Sequence, residues 1–323
     1  MGPADLSNIL SDLHKCRNRD MVVGPGDDAG VFRYKNTLMI ETVDVITPIV
    51  DDPYTFGAIC AANSVSDVYA MGGRPLTALA ILGFSTCDFT SAVIRRLLRG
   101  AISKLDEAGA CLIGGHTIED DEFKFGFAVS GTAEEHTVLT VSGAKPEDIL
   151  VLTKKIGTGI LTSAVKKGTV KKSYLKEVID SMLMLNKTAS KAAVAGGAHA
   201  ATDVTGFGLL GHGLNIAKSS KVTLILESGK IPLMNKVKDL AAADAVPKGA
   251  RNNLDYCSKK TSFAESVPNA YRLALSDPQT SGGLLLSLPP KGMKKFDQLM
   301  KKAQAPYWVI GEVIKGSGRI VVR

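Results

Sequence analysis

The chain has 323 residues, of which 45% are apolar and 22% charged, an ordinary composition for a soluble globular protein that is large enough for two domains. Its net charge of +7 comes without the basic clusters interleaved with aromatic residues that nucleic-acid binders use, so nucleic acid is not an expected partner. No stretch approaches the roughly 18 uncharged apolar residues of a membrane helix, and no membrane association is expected.

The cysteines are scattered and form no CxxC pair, which argues against a disulfide scaffold or a zinc site. No secretory signal is visible at the N-terminus. This pattern is typical of a protein of the reducing cytoplasm, which is the expected location. The five residues are Cys16, Cys60, Cys87, Cys111 and Cys257.

Helical spacing over residues 6–13 precedes a glycine-rich segment, residues 24–31, that contains two adjacent acids, Asp27 and Asp28. Neighbouring side chains on extended backbone point in opposite directions, so the two carboxylates can serve two different ligands. Glycines on both sides would let the backbone approach a charged group closely. The alternative is a surface turn, because Gly, Pro and Asp are common turn residues.

A predicted hairpin, residues 31–34 and 38–44, carries Asp44 near the end of its second strand. The next helix is predicted over residues 53–71, with Asp52 as N-cap and glycines after its end. This helix is apolar nearly all round and should be buried, yet it contains Asn63 and Asp67 four residues apart. Asp67 is therefore either part of a structural hydrogen-bond network or a ligand for a cation.

A strand over residues 76–86 and a helix over residues 89–108 follow. Residues 111–113 are predicted to form a short strand that leads into a loop, Gly114-Gly115-His116-Thr117. Such a loop can hold phosphate with its main-chain N–H groups, although two glycines also occur in ordinary turns. Another strand is predicted over residues 125–132.

Residues 143–146, with the sequence Gly-Ala-Lys-Pro, predict a domain boundary, so that residues 1–145 and 146–323 form two domains. Beyond it we predict strands at 149–153, up to 203, at 222–226, 283–288, 307–313 and 320–322. A turn is predicted at 157–159. Helices are predicted at 160–167, 174–195, 209–218 and 291–303.

Asp203 ends a predicted strand just before a glycine-spaced loop that opens a helix. It either caps that helix or joins Asp28 and Asp67 at a metal. If the three acids converged without a cation, each pair about 4 Å apart would cost on the order of 4 kcal/mol at an effective dielectric constant near 20. Oxygen ligands favour Mg²⁺ over zinc or copper.

Five stretches together resemble the selenophosphate synthetases, also called selenide, water dikinases, and they span nearly the whole chain. The Gly-Asp-Asp element alone is shared with aminoimidazole ribonucleotide synthetases and thiamine-monophosphate kinases. The stretches are Gly26-Asp27-Asp28-Ala29-Gly30-Val31, residues 63–73, residues 114–118, Thr202-Asp203-Val204-Thr205-Gly206-Phe207-Gly208-Leu209-Leu210-Gly211-His212, and Leu275-Ser276-Asp277-Pro278-Gln279-Thr280-Ser281-Gly282-Gly283-Leu284.

The resemblance implies that ATP, selenide and water become selenophosphate, AMP and phosphate. It implies an α+β fold: an N-terminal ATP-binding domain whose strands pair across a homodimer into a barrel, and a C-terminal α/β sandwich. The active site would lie in the cleft between domains, partly formed by the partner subunit. Asp28, Asp67 and Asp203 match the Mg²⁺ ligands of the family. The matching ATP contacts are Pro25, Gly26, Asp27, Asp44, Asp67, Gly115, His116 and Thr117.

Members of the family also carry a glycine-rich stretch that contains Cys or selenocysteine, two further residues and then a Lys. In the alignment of motifs, Met1 of this sequence falls immediately after the position of that Lys. Cys16 lies at a different place in the pattern, so no catalytic nucleophile is predicted. We expect this sequence to bind ATP but to make little selenophosphate. One hypothesis is that the encoded protein is longer, with an in-frame Cys or TGA codon upstream. The alternative is that the stretch was removed deliberately. Both predict a Lys codon directly upstream of the Met1 codon.

Two further hypotheses remain open: a nucleotide-binding module without turnover, and a related kinase that phosphorylates another small molecule. The loop at 276–283 favours selenophosphate synthetase over the related kinase. Measuring AMP formation with and without selenide would separate the three.

Overall fold

The computed structural model describes residues 18–87 and 89–323; the helix predicted over residues 6–13 and Cys16 lie outside them. The chain forms two compact units. The N-terminal unit comprises Arg19–Val138 with Met182–Lys187, and the C-terminal unit comprises Leu139–Ser181 with Thr188–Arg323. Within the described ranges, no helix is both long enough and apolar enough to cross a membrane.

The N-terminal unit contains a sheet whose described strands lie in the order β1-β2-β3-β6-β4-β5. The β4–β5 pair is parallel and the other pairs are antiparallel. The predicted hairpin is confirmed as β2 and β3, joined at Lys35, which has φ 55°. The strands are β1 (Met21–Val23), β2 (Gly30–Tyr34), β3 (Thr37–Ile46), β4 (Arg74–Phe84), β5 (Cys111–Glu119) and β6 (Lys124–Ala133).

Helices α1 (Pro53–Ser64), α2 (Ser66–Ala70) and α3 (Ser91–Ala108) belong to the same unit. α1 and α3 cross with their backbones nearly touching, because a Cβ at Gly57 would stand 2.0 Å from the Leu97 carbonyl oxygen and one at Gly100 would stand 1.9 Å from that of Tyr54. The helix predicted over residues 53–71 is buried as expected, but it is interrupted at Val65. The interruption follows the residues whose side chains bond to Asp44.

The phosphate loop predicted at residues 114–117 is wrong as a local structure, because those residues lie within β5. Gly115 pairs with Ala80 of β4, and a Cβ on Gly115 would stand 2.3 Å from the Ala80 carbonyl oxygen. Close strand pairing, and not a turn, therefore accounts for this glycine.

The C-terminal unit contains a second mixed sheet, whose described strands lie in the order β10-β13-β9-β12-β7-β11-β8. The pairs β10–β13 and β13–β9 are parallel and the remaining pairs are antiparallel. The strands are β7 (Ile149–Leu152), β8 (Ala200–Asp203), β9 (Val222–Leu226), β10 (Thr261–Phe263), β11 (Leu284–Leu288), β12 (Trp308–Lys315) and β13 (Arg319–Val322).

The single helix predicted over residues 174–195 is wrong, since two helices separated by residues 184–186 occupy that range. In the break, Leu185 packs on the core of the N-terminal unit and the Asn186 amide donates to Ser66 Oγ at 2.8 Å. The helices are α4 (Thr158–Lys166), α5 (Leu175–Leu183), α6 (Lys187–Ala195), α7 (Gly208–Ser220), α8 (Val237–Ala242), α9 (Lys248–Ser258), α10 (Asn269–Leu275) and α11 (Pro290–Lys302).

The predicted α+β, two-domain fold is confirmed. Pairing of the N-terminal strands across a dimer into a barrel stays a prediction, and so does the domain boundary at residues 145 and 146.

Candidate active site

Two acids of the N-terminal unit are held where β3 meets the buried helices. Thr42 and Asp44 alternate with exposed residues along β3, so both face the helices. The Thr42 hydroxyl donates to Asp67 Oδ2, and the Asn63 amide donates to Asp44 Oδ2 at 2.8 Å. Thr42 and Asp44, two residues apart on β3, thus bond to Asp67 and Asn63, which are four residues apart along the helices. Hydrogen bonds between β3 and the helices therefore orient both carboxylates, including the buried one of Asp67.

The acidic segment leads directly into β2. Gly26 has φ 114°, a conformation that only glycine adopts readily, and among the described residues a Cβ there would meet nothing within 4 Å, so conformation explains this glycine. Asp27 and Asp28 are half-buried, and Asp27 Oδ1 accepts the Asp28 main-chain N–H at 3.0 Å. Asp28 precedes Gly30, whose partner is Glu41, and it therefore lies near the start of the strand pair that carries Asp44.

The remaining predicted ATP residues of this unit lie on a different strand. One row of paired residues crosses four strands: Asp44 of β3 pairs with Phe127 of β6, which pairs with Ala80 of β4, which pairs with Gly115 of β5. Three strand spacings, roughly 14 Å, therefore separate Asp44 from Gly115 within one sheet. His116 aligns with Val45, on the opposite face of the sheet from Asp44.

Asp203 is the third predicted metal ligand, in the C-terminal unit. It is the last residue of β8, only 1% exposed, and pairs with Leu284 of β11. The N-cap position of α7 is Phe207, whose side chain makes no capping bond, so Asp203 lies four residues before the N-cap. Residues 18–87 and 89–323 contain no ready-made cluster of three or more His, Cys, Asp or Glu side chains around a metal position. The donors themselves, carboxylates with a neighbouring hydroxyl, are of the oxygen type that Mg²⁺ prefers.

The segment after Asp203 is fastened to the loop at residues 276–283. The Val204 N–H donates to the Gly283 carbonyl at 2.8 Å, and the Gln279 N–H donates to the Thr205 carbonyl at 3.0 Å. From α9, the buried Asn253 amide donates to the carbonyls of Gly206 and Ser276 at 2.9 and 3.0 Å. The two loops therefore form one hydrogen-bonded body.

The same loop also holds the start of α4. Gln279 Oε1 accepts from the N–H groups of Gly157 and Thr158, and Asp277 Oδ2 accepts from those of Gly159 and Ile160. The N–H groups at this helix start are thus satisfied within the protein. Gly159 is required by packing, because a Cβ there would stand 2.5 Å from the Pro278 carbonyl oxygen.

Ser281 adopts φ 47°, which an L-residue holds only when its surroundings impose it. The fully buried Lys154 donates from Nζ to the Ser281 carbonyl at 2.7 Å. Sequence reasoning gave no role to Lys154, Asn253, Asp277 or Gln279. The sequence signal available for the first of them was a lysine directly after the apolar strand predicted over residues 149–153.

Comparisons with known proteins identify the family of the chain. Residues 26–133 match the AIR synthase related protein N-terminal domain, and residues 145–323 match the corresponding C-terminal domain. A selenide, water dikinase from Clostridium botulinum (strain Eklund 17B / Type B) is 41% identical over 327 residues, covering 100% of this chain and 94% of that protein. One from Geobacter metallireducens is 44% identical over 300 residues, covering 92% and 87%.

The chain belongs to the selenide, water dikinase family. The resemblance predicted from the five sequence stretches is therefore confirmed. Solved structures with the same fold include AaThiL complexed with AMPPCP and TMP, with a TM-score of 0.74, 20% identity and coverage of 99% of this chain and 93% of that one. Hydrogenase maturation protein HypE in complex with ATP has a TM-score of 0.67, 17% identity and coverage of 97% and 86%. These likenesses show that this chain shares its two-domain fold with both proteins.

Proposed function

We propose that the protein is a selenophosphate synthetase, which converts ATP, selenide and water into selenophosphate, AMP and phosphate. The observation that carries this proposal is 41% identity to a selenide, water dikinase over the full length of the chain. The loop at residues 276–283, which the sequence singled out, contributes to the candidate site through its bonds to the segment after Asp203.

In this proposal, Asp28, Asp67 and Asp203 hold Mg²⁺. Their carboxylates supply oxygen donors, and the hydroxyl of Thr42 orients one of them. When bound, the metal neutralises phosphate charge, which together with positioning is the main source of rate in phosphoryl transfer. Asp44, held by Asn63, is proposed to contact the nucleotide and not the metal.

The nucleotide is proposed to contact Pro25, Gly26, Asp27, Asp44, Asp67, Gly115, His116 and Thr117. Because His116 lies on the opposite sheet face from Asp44, we propose that the two belong to different subunits of the homodimer at any one nucleotide. Gly26 has no side chain, so in this proposal phosphate oxygens can approach the main chain of the acidic segment closely. His116 lies on an exposed edge strand, where its ring is available to donate to a phosphate.

A homodimer is part of the proposal. A row of paired residues crosses β3, β6, β4 and β5, and its members lie on one face of the N-terminal sheet. The row consists of Val43, Ala128, Leu79 and Gly114. On that face Val43 is 59% exposed and Leu79 is 44% exposed. His116 lies two residues after Gly114 along β5 and therefore on the same face. A second copy bound there would cover these apolar side chains and lie next to His116.

The proposal also includes the cytoplasm as location. Among the described residues the cysteines are free thiols, two of them exposed, as expected for a reducing compartment.

The deciding experiment incubates the protein with ATP, Mg²⁺ and selenide and follows selenophosphate by phosphorus NMR and AMP by chromatography. Selenide-dependent formation of both products would support the proposal, even at the low rate expected for this sequence, and ATP affinity should be at least tenfold lower without Mg²⁺. Asp203→Asn should lower Mg²⁺-dependent ATP affinity by a similar factor while the protein stays folded, and Asp255→Asn, an exposed acid of the same unit, should not.

Three results would contradict parts of this proposal. Selenide-independent ADP formation with another acceptor would favour a related small-molecule kinase. ATP binding without turnover would favour a nucleotide-binding module. Equal ATP affinity with and without Mg²⁺ would remove the metal assignment.

A further inference from the structure

His212 of α7 lies beneath the segment that carries Asp203. Its side chain is buried, and both ring nitrogens have partners on that segment. Nε2 lies 3.2 Å from the main-chain nitrogen of Thr205, and Nδ1 lies 3.3 Å from Thr202 Oγ1. One imidazole therefore contacts residues on both sides of Asp203.

The partners determine which nitrogen carries the proton. A main-chain N–H can only donate, so Nε2 must be the acceptor for Thr205. Nδ1 then carries the hydrogen and donates to Thr202 Oγ1. That hydroxyl in turn donates to the carbonyl of Asp203 at 3.2 Å. The neutral ring thus begins a chain of hydrogen bonds that ends on the main chain of Asp203.

Burial keeps the ring in this neutral form, since it lowers the pKa of His212 to about 4. The imidazole also packs against Phe207, with ring centroids 5.6 Å apart, which limits its movement. The segment from Thr202 to Thr205 is therefore held by His212 of α7 and by Gly283 and Gln279 of the loop at residues 276–283.

We propose that His212 is a positioning residue that fixes the main chain at Asp203 and so places its carboxylate for the metal. This inference rests on the proposed function, because it assumes that Asp203 is a Mg²⁺ ligand. It gives His212 a specific hydrogen-bonding role and distinguishes it from a residue that only fills the core.

The test compares His212→Phe, His212→Gln, Asp203→Asn and Leu214→Ala in the whole protein. Phe keeps the ring volume but removes both bonds, whereas Gln keeps one donor and one acceptor. Leu214 is buried on the same helix, in the core of the C-terminal unit, and its truncation is a control for lost stability alone. For each variant, the Mg²⁺ concentration that half-saturates ATP binding is measured by calorimetry, together with Tm and amide hydrogen exchange over residues 202–206 without metal.

We expect His212→Phe to raise the half-saturating Mg²⁺ concentration about tenfold, the lower end of what outer partners of metal ligands contribute. Exchange over residues 202–206 should rise in the same variant. His212→Gln should recover most of both effects. Leu214→Ala should lower Tm but leave the Mg²⁺ requirement unchanged.

Unchanged exchange and Mg²⁺ requirement in His212→Phe, beside a loss of Mg²⁺-dependent binding in Asp203→Asn, would overturn this inference and leave the proposed function intact. Equal shifts in His212→Phe and Leu214→Ala would also overturn it, because lost stability would explain both. If Asp203→Asn keeps the normal Mg²⁺ requirement, the metal role of Asp203 fails, and this inference fails with it.

Discussion

Asp277 is a buried acid whose carboxylate is bound by N–H groups at the start of α4 and by the Gln279 amide. Burial raises its pKa to about 7, because the low-dielectric surroundings penalise the charged form more than the N–H donors stabilise it. Its other oxygen, Oδ1, has no hydrogen-bond partner within the described ranges. Asp277 is therefore the group of this loop that changes charge near neutral pH.

This pKa predicts how stability depends on pH. The folded-state pKa lies above the reference value of 3.8, so the folded protein binds this proton more tightly than the unfolded chain does. The resulting stabilisation is complete below about pH 4 and is lost as the pH rises toward 7. Relative to Asp277→Asn, whose side chain does not titrate, the Tm of the unmodified protein should fall by several degrees between pH 4.5 and 7.5, at about 2–4 °C per kcal/mol.

Thermal unfolding of both proteins across that pH range checks this prediction, with Asp255→Asn as the exposed control. Parallel curves for the protein and Asp277→Asn would mean that Asp277 stays ionised throughout. The prediction would then be wrong.

At the scale of elements, a side-chain hydrogen bond, and not burial alone, stabilises the start of α1. Asp52 accepts from the main-chain N–H and the hydroxyl of Thr55, at 2.9 and 2.7 Å, and Pro53 follows as the first helical residue. Arg96 of α3 also pairs with Asp52, but both side chains are largely exposed. The N-cap bond should therefore contribute most of the stabilisation.

Asp52→Ala should lower the free energy of unfolding of the N-terminal unit by about 1 kcal/mol, the usual value of an N-cap. Arg96→Ala should cost about 0.5 kcal/mol or less, because exposed ion pairs contribute little. Urea unfolding followed by circular dichroism measures both variants. An equal loss in the two would show that the ion pair, and not the cap, stabilises this helix start.

The hairpin at residues 30–46 and the start of α1 were predictable because their signals are local: alternating apolar residues, a two-residue turn and an Asp-Pro cap. The strand character of residues 114–119 was not, since it depends on pairing with β4. The break at residues 184–186 was missed for a similar reason. Helical periodicity continues across it, and only the bond from Asn186 to Ser66 shows why the chain turns away.

At the scale of the whole molecule, the exposed apolar face of the N-terminal sheet predicts the oligomeric state. A folded monomer rarely leaves several large apolar side chains exposed on one face of a sheet. The double variant Val43→Glu with Leu79→Glu leaves the core intact, because both side chains point outward. It should be a monomer, whereas the unmodified protein should be a dimer.

Light scattering after size exclusion measures both masses. Ile314→Glu changes an exposed apolar residue of the C-terminal unit and should leave the dimer unchanged. A double variant with the mass of the unmodified protein would show that this face is not the interface.

The sequence alone was enough to predict the α+β class, the two-domain organisation and the family. These depend on short-range patterns, such as Gly-Asp-Asp before a strand and Asp203 in its glycine-spaced motif, which can be recognised without knowing what they contact. The candidate residues Asp28, Asp67 and Asp203 came from the same patterns.

Only the tertiary structure decided how those residues are held. Asp67 is oriented by Thr42, 25 positions away, and the segment after Asp203 is bonded to Gln279 and Asn253, which no local pattern connects to it. The direction of a hydrogen bond depends on positions that strand pairing and helix packing establish. A linear pattern identifies acids that can bind a metal, whereas the fold decides which neighbours orient them.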